Sequence, residues 1–248
     1  MKKNLILTAL LTLLFTAPLG AQSSNIVEQA RYFLRADQMP DVSLFLPGPP
    51  AFGDEAFLLD SVCYERGKLL RDTERGRLAV ADANISIEYI MSRFGEAMGI
   101  PDFNPKEYPV TADFLFKSFA TTRLSISGAK DKYARIRPYQ HFDEHTPIPE
   151  REHKDDFTSF PSGHTIRYWT AALVLTAIDP EHQNEILKVG YEGGESRIIV
   201  GYHYKSDVDA AMLAASAAFA RLTADPLWQK LLKRSQKEFA KKQAAGKR

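Results

Sequence analysis

The sequence predicts an all-α protein, and two observations support that fold class. Apolar residues recur three and four positions apart along most of the chain, which is the period of a helix with one buried face. By contrast, no stretch bounded by turn residues keeps the period-two alternation of a half-buried strand. With 248 residues, of which 44% are hydrophobic, the chain is long enough to bury a proper core. We therefore expect a core of packed helices.

The order of helices and loops follows from the positions of prolines, glycines and capping residues. Ser24 and Asp54 are candidate N-caps, and four prolines between residues 37 and 53 predict an irregular arm. A second loop is expected over residues 138–160, which carry three prolines and many charges. The expected helices cover residues 25–35, 54–71, 78–98, 111–126, 128–135, 161–178, 181–192, 196–203, 206–222 and a last segment from Pro226.

The first residues match the three regions of a secretory signal peptide. Two lysines precede an apolar run over residues 5–15, and small residues ending in Ala21 follow it. That run is shorter than the roughly 20 residues of a membrane-spanning helix. We expect cleavage near Ala21 and a periplasmic or secreted protein, with a structural N-terminal helix as the alternative.

Four segments result from this division of the chain. They are a signal peptide over 1–21, an N-terminal helix with the Pro-rich arm over 22–53, a main helical domain over 54–224 and a basic C-terminal helix over 225–248. From Lys230 onward the last segment holds eight Lys or Arg residues against the single acid Glu238. We expect this end to be a solvated amphipathic helix that frays.

Composition excludes several classes of partner and of stabilising bond. Lys and Arg number 32 against 31 Asp and Glu, so no global attraction to nucleic acid is expected. The single cysteine, Cys63, cannot form an internal disulfide, and its apolar helical surroundings indicate a core residue rather than a nucleophile. After the signal peptide, no run reaches about 18 uninterrupted apolar residues, so no membrane span is expected in the mature chain.

The stretch Phe160-Pro161-Ser162-Gly163-His164-Thr165 is the first of three segments that could carry chemistry. Pro161 suits the first turn of a helix, whose exposed backbone N–H groups favour an anion. Ser162 adds a hydroxyl donor, and Gly163 lets the backbone come close to a ligand. His164 could pass a proton to a group bound there.

Lys130 and Arg137 form the second segment. They are seven positions apart, so on a continuous helix both would lie on one face, with Pro138 ending that helix. Two fixed cations of this kind suit an oxyanion. The alternative is a solvated charged face, because Lys132 and Arg135 are also basic.

The third segment contains Arg197, His203 and Asp207. His203 and Asp207 are four positions apart, so they can touch on a helix or on a turn that leads into one. A carboxylate that accepts from one imidazole nitrogen leaves the other free as a nucleophile, and Arg197 adds a third cation. The alternative is a structural hydrogen bond between the two side chains.

A zinc-peptidase pattern, H-x-x-E-H, also occurs at His141 and His145. It requires a helix that puts both histidines on one face. Because the pattern lies in a polar loop between Pro138 and Pro147, we do not expect a metal site there.

Together the three segments read Lys130-x6-Arg137-Pro138, Pro161-Ser162-Gly163-His164 and Ser196-Arg197-x5-His203-x3-Asp207. This pattern resembles the three-part signature of the type-2 phosphatidate phosphatase superfamily, which includes vanadium haloperoxidases. The signal peptide, the arm around residues 46–51 and the stretch 206–210 are similar to those of bacterial class A non-specific acid phosphatases. The resemblance covers about residues 30 to 222 and leaves out the basic end.

The resemblance implies a compact multi-helix bundle and a role for each signature residue. His203 would be the nucleophile that forms a phosphohistidine, Asp207 would orient it, and His164 would be the general acid and base. The phosphate-binding residues would be Lys130, Arg137, Ser162, Gly163 and Arg197. No metal ion and no cofactor would be needed, because three cations surround the phosphate.

The function expected from the resemblance is a secreted acid phosphatase of broad specificity for small phosphate monoesters, with phosphotransfer to alcohols as a further activity. Class A relatives often form homo-oligomers, so a homo-oligomer is an option here. Three alternatives stay open. A vanadium-dependent haloperoxidase would use the same oxyanion pocket, but such enzymes are usually longer chains. A lipid phosphatase would ordinarily carry several membrane spans. A non-catalytic anion-binding protein would not need both histidines.

Overall fold

In the computed structural model of the protein, residues 31–246 are described, and they form helices and loops without a strand among them. The expected all-α class is therefore confirmed. The helices are α1 Val42–Phe45, α2 Glu55–Lys68, α3 Glu74–Ala81, α4 Ile87–Gly95, α5 Pro109–Arg123, α6 Ser127–Tyr133, α7 Pro138–His141, α8 Gly163–Ile178, α9 Gln183–Ile199, α10 Lys205–Thr223 and α11 Pro226–Gly246. Short 3₁₀ turns lie at Ala36–Gln38, Leu124–Ile126, Pro149–Arg151 and Pro180–His182.

The helix α8 lies at the centre of the bundle, where it packs against α5, α9 and α10. Tyr168, Ala172, Val174 and Leu175 of this helix are fully buried. They belong to a core cluster that also takes residues from α4, α5, α9, α10 and α11. The apolar run after His164 thus forms a buried helix, as the sequence predicts, and the surrounding bundle fixes the position of this helix.

Two glycines of α9 allow it to lie close against α8. A Cβ atom on Gly190 would come within 2.5 Å of the Ala172 Cβ, and one on Gly193 would collide with the Tyr168 ring. From the sequence, one helix was expected over residues 181–192 and another over 196–203. That division is wrong: α9 continues to Ile199, since these glycines serve the contact with α8.

A single helix over residues 78–98 was also expected, and the structure divides it into α3 and α4. The reason is the buried carboxylate of Asp82, which accepts hydrogen bonds from Tyr89, Tyr168 and Ser196. Beyond this turn, the Ser86 hydroxyl accepts from the Tyr89 N–H and begins α4 as its N-cap. Tertiary hydrogen bonds to one carboxylate therefore interrupt a segment with continuous helical periodicity.

The two ends of the chain differ from the sequence-based expectations. Of the expected helix 25–35, Arg31 is helical and residues 32–35 are not, while residues 25–30, like the signal peptide, lie outside the described residues. The Pro-rich arm is not wholly irregular, because it contains α1 with Val42 buried. The basic helix α11 is docked rather than solvated along its length, with Trp228 and Leu231 buried. The Glu238 carboxylate accepts from the backbone N–H groups of Val110 and Thr111 at the start of α5.

Among residues 31–246, no helix combines the length and the apolar character that crossing a membrane requires.

We expect Gly193→Ala to lower the free energy of unfolding by about 1–3 kcal/mol, because the added methyl group would collide with the buried Tyr168 ring. Urea unfolding followed by circular dichroism measures this change. Gly128→Ala is the matched control: the nearest neighbour of its Cβ would be the exposed carboxylate of Asp41 at 3.2 Å, which can move. Equal stability of both variants would show that close packing of α8 on α9 is not required.

Candidate active site

The N-terminus of α8 carries the first predicted segment. Ser162 is the N-cap, and its hydroxyl oxygen accepts from the backbone N–H of Thr165 at 3.2 Å. Its own N–H donates to the backbone oxygen of Asp207 at 3.1 Å, which ties this helix start to α10. Pro161 lies before the N-cap, so the expectation that it occupies the first turn is wrong. Gly163 is the first residue of α8, and His164 lies in the first turn.

His203 and Asp207 lie on the link from α9 to α10 and in the first turn of α10. Both side chains are buried, and Nδ1 of His203 is 3.5 Å from Oδ2 of Asp207. That separation is longer than a normal hydrogen bond of this type. Oδ2 accepts instead from the Ser159 hydroxyl at 2.6 Å and from the Tyr204 N–H at 2.9 Å. Asp207 thus joins the loop before α8 to the start of α10.

Arg135 is a site residue that the sequence analysis missed. It was grouped with Lys132 as part of a solvated face, but its side chain is only 3% exposed. One nitrogen donates to Asp207 Oδ1 at 2.6 Å and the other to Asp60 Oδ2 at 2.8 Å. Its guanidinium carbon is also 3.9 Å from the centre of the Tyr204 ring. No sequence signal distinguishes this arginine from its basic neighbours, because burial depends on the distant residues that face it.

Lys130 and Arg137 reach the site from separate elements, and not from one helix face as the spacing suggested. The helix α6 ends at Tyr133, because Ala134 takes the left-handed conformation with φ 41°. Pro138 then begins α7 instead of ending a helix. The two cations nevertheless converge on Thr158: Lys130 Nζ donates to its backbone oxygen at 2.5 Å, and Arg137 Nη2 donates to its hydroxyl at 3.1 Å.

Arg137 touches the imidazole of His203. Its Nη1 lies 3.1 Å from His203 Nε2, and the same nitrogen donates to the backbone oxygen of Tyr202 at 3.0 Å. Because a guanidinium can only donate, Nε2 is the acceptor and the imidazole proton lies on Nδ1. Nε of Arg137 also pairs with Asp156 at 2.5 Å, and Nη2 donates to the Thr158 hydroxyl at 3.1 Å. His203 thus presents an unprotonated Nε2 beside a fixed cation.

The pKa values of Lys130 and Arg197 are lowered because both side chains are buried near another positive charge. Burial, together with the charge of Arg137, lowers the pKa of Lys130 to about 7. The same two causes lower the pKa of Arg197 to about 9. Arg197 is only 2% exposed, and its Nε and Nη1 have no hydrogen-bond partner among the described residues. Buried guanidinium donors in this state fit an oxyanion with several oxygens.

The two histidines share this positive environment. The pKa of His203 lies well below its usual value because of burial and the charges of Arg137, Arg197 and Lys130. The pKa of His164 is lowered by burial, by Arg197 and by His203 itself. His164 Nε2 lies 3.4 Å from the backbone oxygen of Ala83. Both imidazoles therefore favour the neutral form when no anion offsets the surrounding charge.

The residues of the H-x-x-E-H pattern do not lie on one helix. His141 ends α7, and its ring stacks on Phe52 with centroids 4.2 Å apart. The side chain of His145 is 88% exposed and pairs with Glu152 at 2.9 Å. Within residues 31–246, no group of three or more His, Cys, Asp or Glu side chains has a metal-binding arrangement.

Comparisons of the sequence with a family model and with curated proteins point to the same family. The family model of the PAP2 superfamily matches residues 114–230, which hold all three signature segments. A non-specific acid phosphatase of Providencia stuartii is 43% identical over 212 residues, which are 85% of each chain. The chain belongs to the PAP2 superfamily. Within it, a non-specific acid phosphatase of Salmonella typhimurium is 34% identical over 92% of this chain and 91% of its own. An acid phosphatase of Zymomonas mobilis is 30% identical over 81% of this chain and 76% of its own.

These comparisons confirm the resemblance inferred from the signature, and the multi-helix bundle is that of a PAP2 protein. The likeness to the non-specific acid phosphatases extends over most of both chains and is not limited to the signature residues. Because the similarity includes the helices around the site, it supports the same overall frame for the three segments.

Replacing Arg135 should destabilise the protein strongly. We expect Arg135→Ala to lower the free energy of unfolding by about 3–5 kcal/mol, because it leaves the buried carboxylates of Asp60 and Asp207 without their cation. Chemical denaturation of the purified variant measures the loss. Lys132→Ala, three positions earlier and exposed, should change stability by less than about 0.5 kcal/mol. Similar small effects for both variants would contradict the structural role assigned to Arg135.

Proposed function

We propose that this protein is a metal-independent acid phosphatase that hydrolyses small phosphate monoesters through a phosphohistidine intermediate. The observation that carries the proposal is the buried imidazole of His203 with Arg137 in contact with its Nε2 at 3.1 Å and with the charges of Lys130 and Arg197 acting on it as well. We call the site formed by these three cations and His203 the phosphate cup. Its positive charge suits a tetrahedral dianion, and the neutral imidazole within it suits nucleophilic attack. The names of the similar proteins, all acid phosphatases, favour this reaction over halide oxidation.

In the first step, His203 Nε2 attacks phosphorus as the bond from phosphorus to the leaving oxygen breaks. The hydrogen bond from Arg137 keeps the imidazole proton on Nδ1 and the lone pair on Nε2. When phosphate binds, one of its oxygens would accept this hydrogen bond in place of Nε2, which frees the lone pair for attack. Asp207 stabilises the imidazolium that forms as Nε2 bonds to phosphorus. Its distance from Nδ1, 3.5 Å, would shorten as the ring gains charge, since catalytic hydrogen bonds often tighten in the complex.

We assign His164 the role of general acid in the first step and of general base in the second. In the first step it gives a proton to the leaving oxygen, which departs as an alcohol. In the second step it takes one from a water molecule that attacks phosphorus and breaks the phosphorus–nitrogen bond, so that inorganic phosphate is released and His203 is restored. The pKa of His164 is low without an anion because of burial and the charge of Arg197. A bound phosphate dianion would raise it and thus load the proton that the first step needs.

The oxygens of the phosphate would be held by charge and by helix geometry. Arg197 offers two buried donors, and Lys130 lies close enough to Arg137 for their charges to interact. At the start of α8, the Ser162 hydroxyl and the Gly163 N–H would add donors, and the helix dipole adds its positive end; the Ser162 N–H is already bonded to the backbone oxygen of Asp207. Three cations would thus supply the charge stabilisation that metal ions provide in other phosphatases.

The rest of the proposal concerns where the enzyme works and on what. The sequence features of residues 1–21 indicate export, so we propose a periplasmic or secreted enzyme. A site whose named contacts address only the phosphate group favours broad specificity and allows an alcohol to replace water in the second step. We propose both properties for this chain, and a homo-oligomer by analogy with class A relatives.

We expect His203→Ala to lower kcat for p-nitrophenyl phosphate by about 10³-fold or more, because the covalent route is lost. Rapid quenching with ³²P-labelled substrate should label the wild-type protein at His203 and leave the variant unlabelled. His153→Ala, at an exposed histidine, is the control and should keep full activity.

A chelator added to the same assay tests metal independence, and we expect it to leave the activity unchanged. Turnover retained by His203→Ala would end the proposed mechanism, and halide oxidation with vanadate would favour a haloperoxidase.

The pH dependence should report Lys130. Its pKa of about 7 means that the ammonium is charged below this pH and loses its proton above it. We therefore expect kcat/KM to fall above about pH 7 as one of the three cations is neutralised. Lys130→Arg keeps a charge over the whole range and should move the alkaline limb of the profile to higher pH. The ratio of variant to wild-type kcat/KM removes the ionisation of the substrate itself, and a ratio that does not vary with pH would contradict the assignment.

A further inference from the structure

A cavity of about 170 Å³ lies beside the phosphate cup, between α5, the start of α6 and α8. It is lined by three arginines, Arg31, Arg123 and Arg167, together with the aromatic rings of Phe116 and Phe119. No acidic side chain lines it, and none of the three guanidinium groups forms an ion pair within residues 31–246. We call this cavity the arginine pocket. Since water occupies roughly 30 Å³ per molecule in the liquid, a tetrahedral oxyanion fits inside.

The arginine pocket lies next to the start of α8, which belongs to the proposed active site. Nη1 of Arg123 lies 3.6 Å from the position that a Cβ on Gly163 would take, so it reaches the residue that begins α8. Arg167 follows His164 by three positions and therefore lies on the same side of α8. Arg167 also donates to the backbone oxygen of Ile85, while His164 lies against that of Ala83. Both side chains thus face the loop between α3 and α4.

Within residues 31–246 no carboxylate pairs with the arginines of the pocket, although Arg31 and Arg167 lie over the rings of Phe116 and Phe119. Burial and the charge of Arg123 lower the pKa of Arg167, and the charge of Arg123 also contributes to lowering the pKa of Lys130. Two other arginines around the site do face carboxylates, since Asp156 pairs with Arg137 and Asp207 with Arg135. Guanidinium groups that converge without a carboxylate are the usual arrangement for binding phosphate.

We propose that the arginine pocket binds a second phosphate group of the substrate while the phosphate to be cleaved lies in the cup. Organic bisphosphates would then be preferred over the corresponding monophosphates. This inference rests on the proposed function, because it assigns the cup to the reacting phosphate. It adds a ligand class and a site to that function: Arg123 lies between the cup and the pocket, and Arg167 lies further along α8.

The test compares fructose 1,6-bisphosphate with fructose 6-phosphate, which differ by one phosphate group. We expect the wild-type enzyme to have the higher kcat/KM for the bisphosphate. Arg123→Gln should lower kcat/KM for the bisphosphate about tenfold more than for the monophosphate, the size expected for one charge-assisted hydrogen bond. Arg123 is exposed, so the variant should fold. Arg234→Gln removes one exposed charge on α11 and should leave the ratio of the two substrates unchanged.

Equal losses for both substrates in Arg123→Gln would overturn the proposal, since Arg123 would then act only through the general positive field. Binding measured by calorimetry on the His203→Ala variant separates this inference from the proposed function. There, tighter binding of the bisphosphate that is lost on adding Arg123→Gln would support the arginine pocket even if the protein hydrolysed neither compound. Equal affinities for the two compounds would rule the pocket out while leaving the phosphatase proposal intact.

Discussion

The buried carboxylate of Asp207 is the interaction on which the arrangement of the site depends. Its oxygens accept hydrogen bonds from Arg135, Ser159 and Tyr204, and its backbone oxygen accepts from Ser162. These partners lie after α6, before α8 and at the start of α10. One fully buried charge therefore ties together the segments that carry the cup, and Arg135 provides the compensating cation that makes its burial tolerable.

Positive charge is concentrated around that carboxylate to an extent that costs stability. The lowered pKa values of Lys130 and Arg197 show that burial and mutual repulsion disfavour their charged forms. Asp156 offsets part of this cost by pairing with Arg137, whereas Arg197 keeps two buried donors without a partner among the described residues. A site of this kind gains stability when a multiply charged anion binds, which is the physical basis of the proposed phosphatase chemistry and of the proposed second phosphate site.

Close helix packing determines where the residues of the site lie. Gly190 and Gly193 let α9 approach α8, and both helices carry residues of the cup near one end. Arg197 lies in the last turn of α9, His203 follows it, and His164 lies in the first turn of α8. The contact between the two helices thus sets how Arg197 and His203 sit relative to His164, and the docked helix α11 supports this core from the opposite end through Trp228.

Much of this protein follows from its sequence, because local patterns determine local structure. Helical periodicity was sufficient for the all-α class, and the motif around Ser162 and His164 correctly predicted a helix start. Other features needed the tertiary structure. The break at Asp82, the continuity of α9 through Gly193 and the burial of Arg135 all depend on partners at least 25 positions away in the chain. Spacing placed Lys130 and Arg137 on one helix, whereas the fold brings them together from separate elements, because the left-handed conformation of Ala134 ends α6 between them.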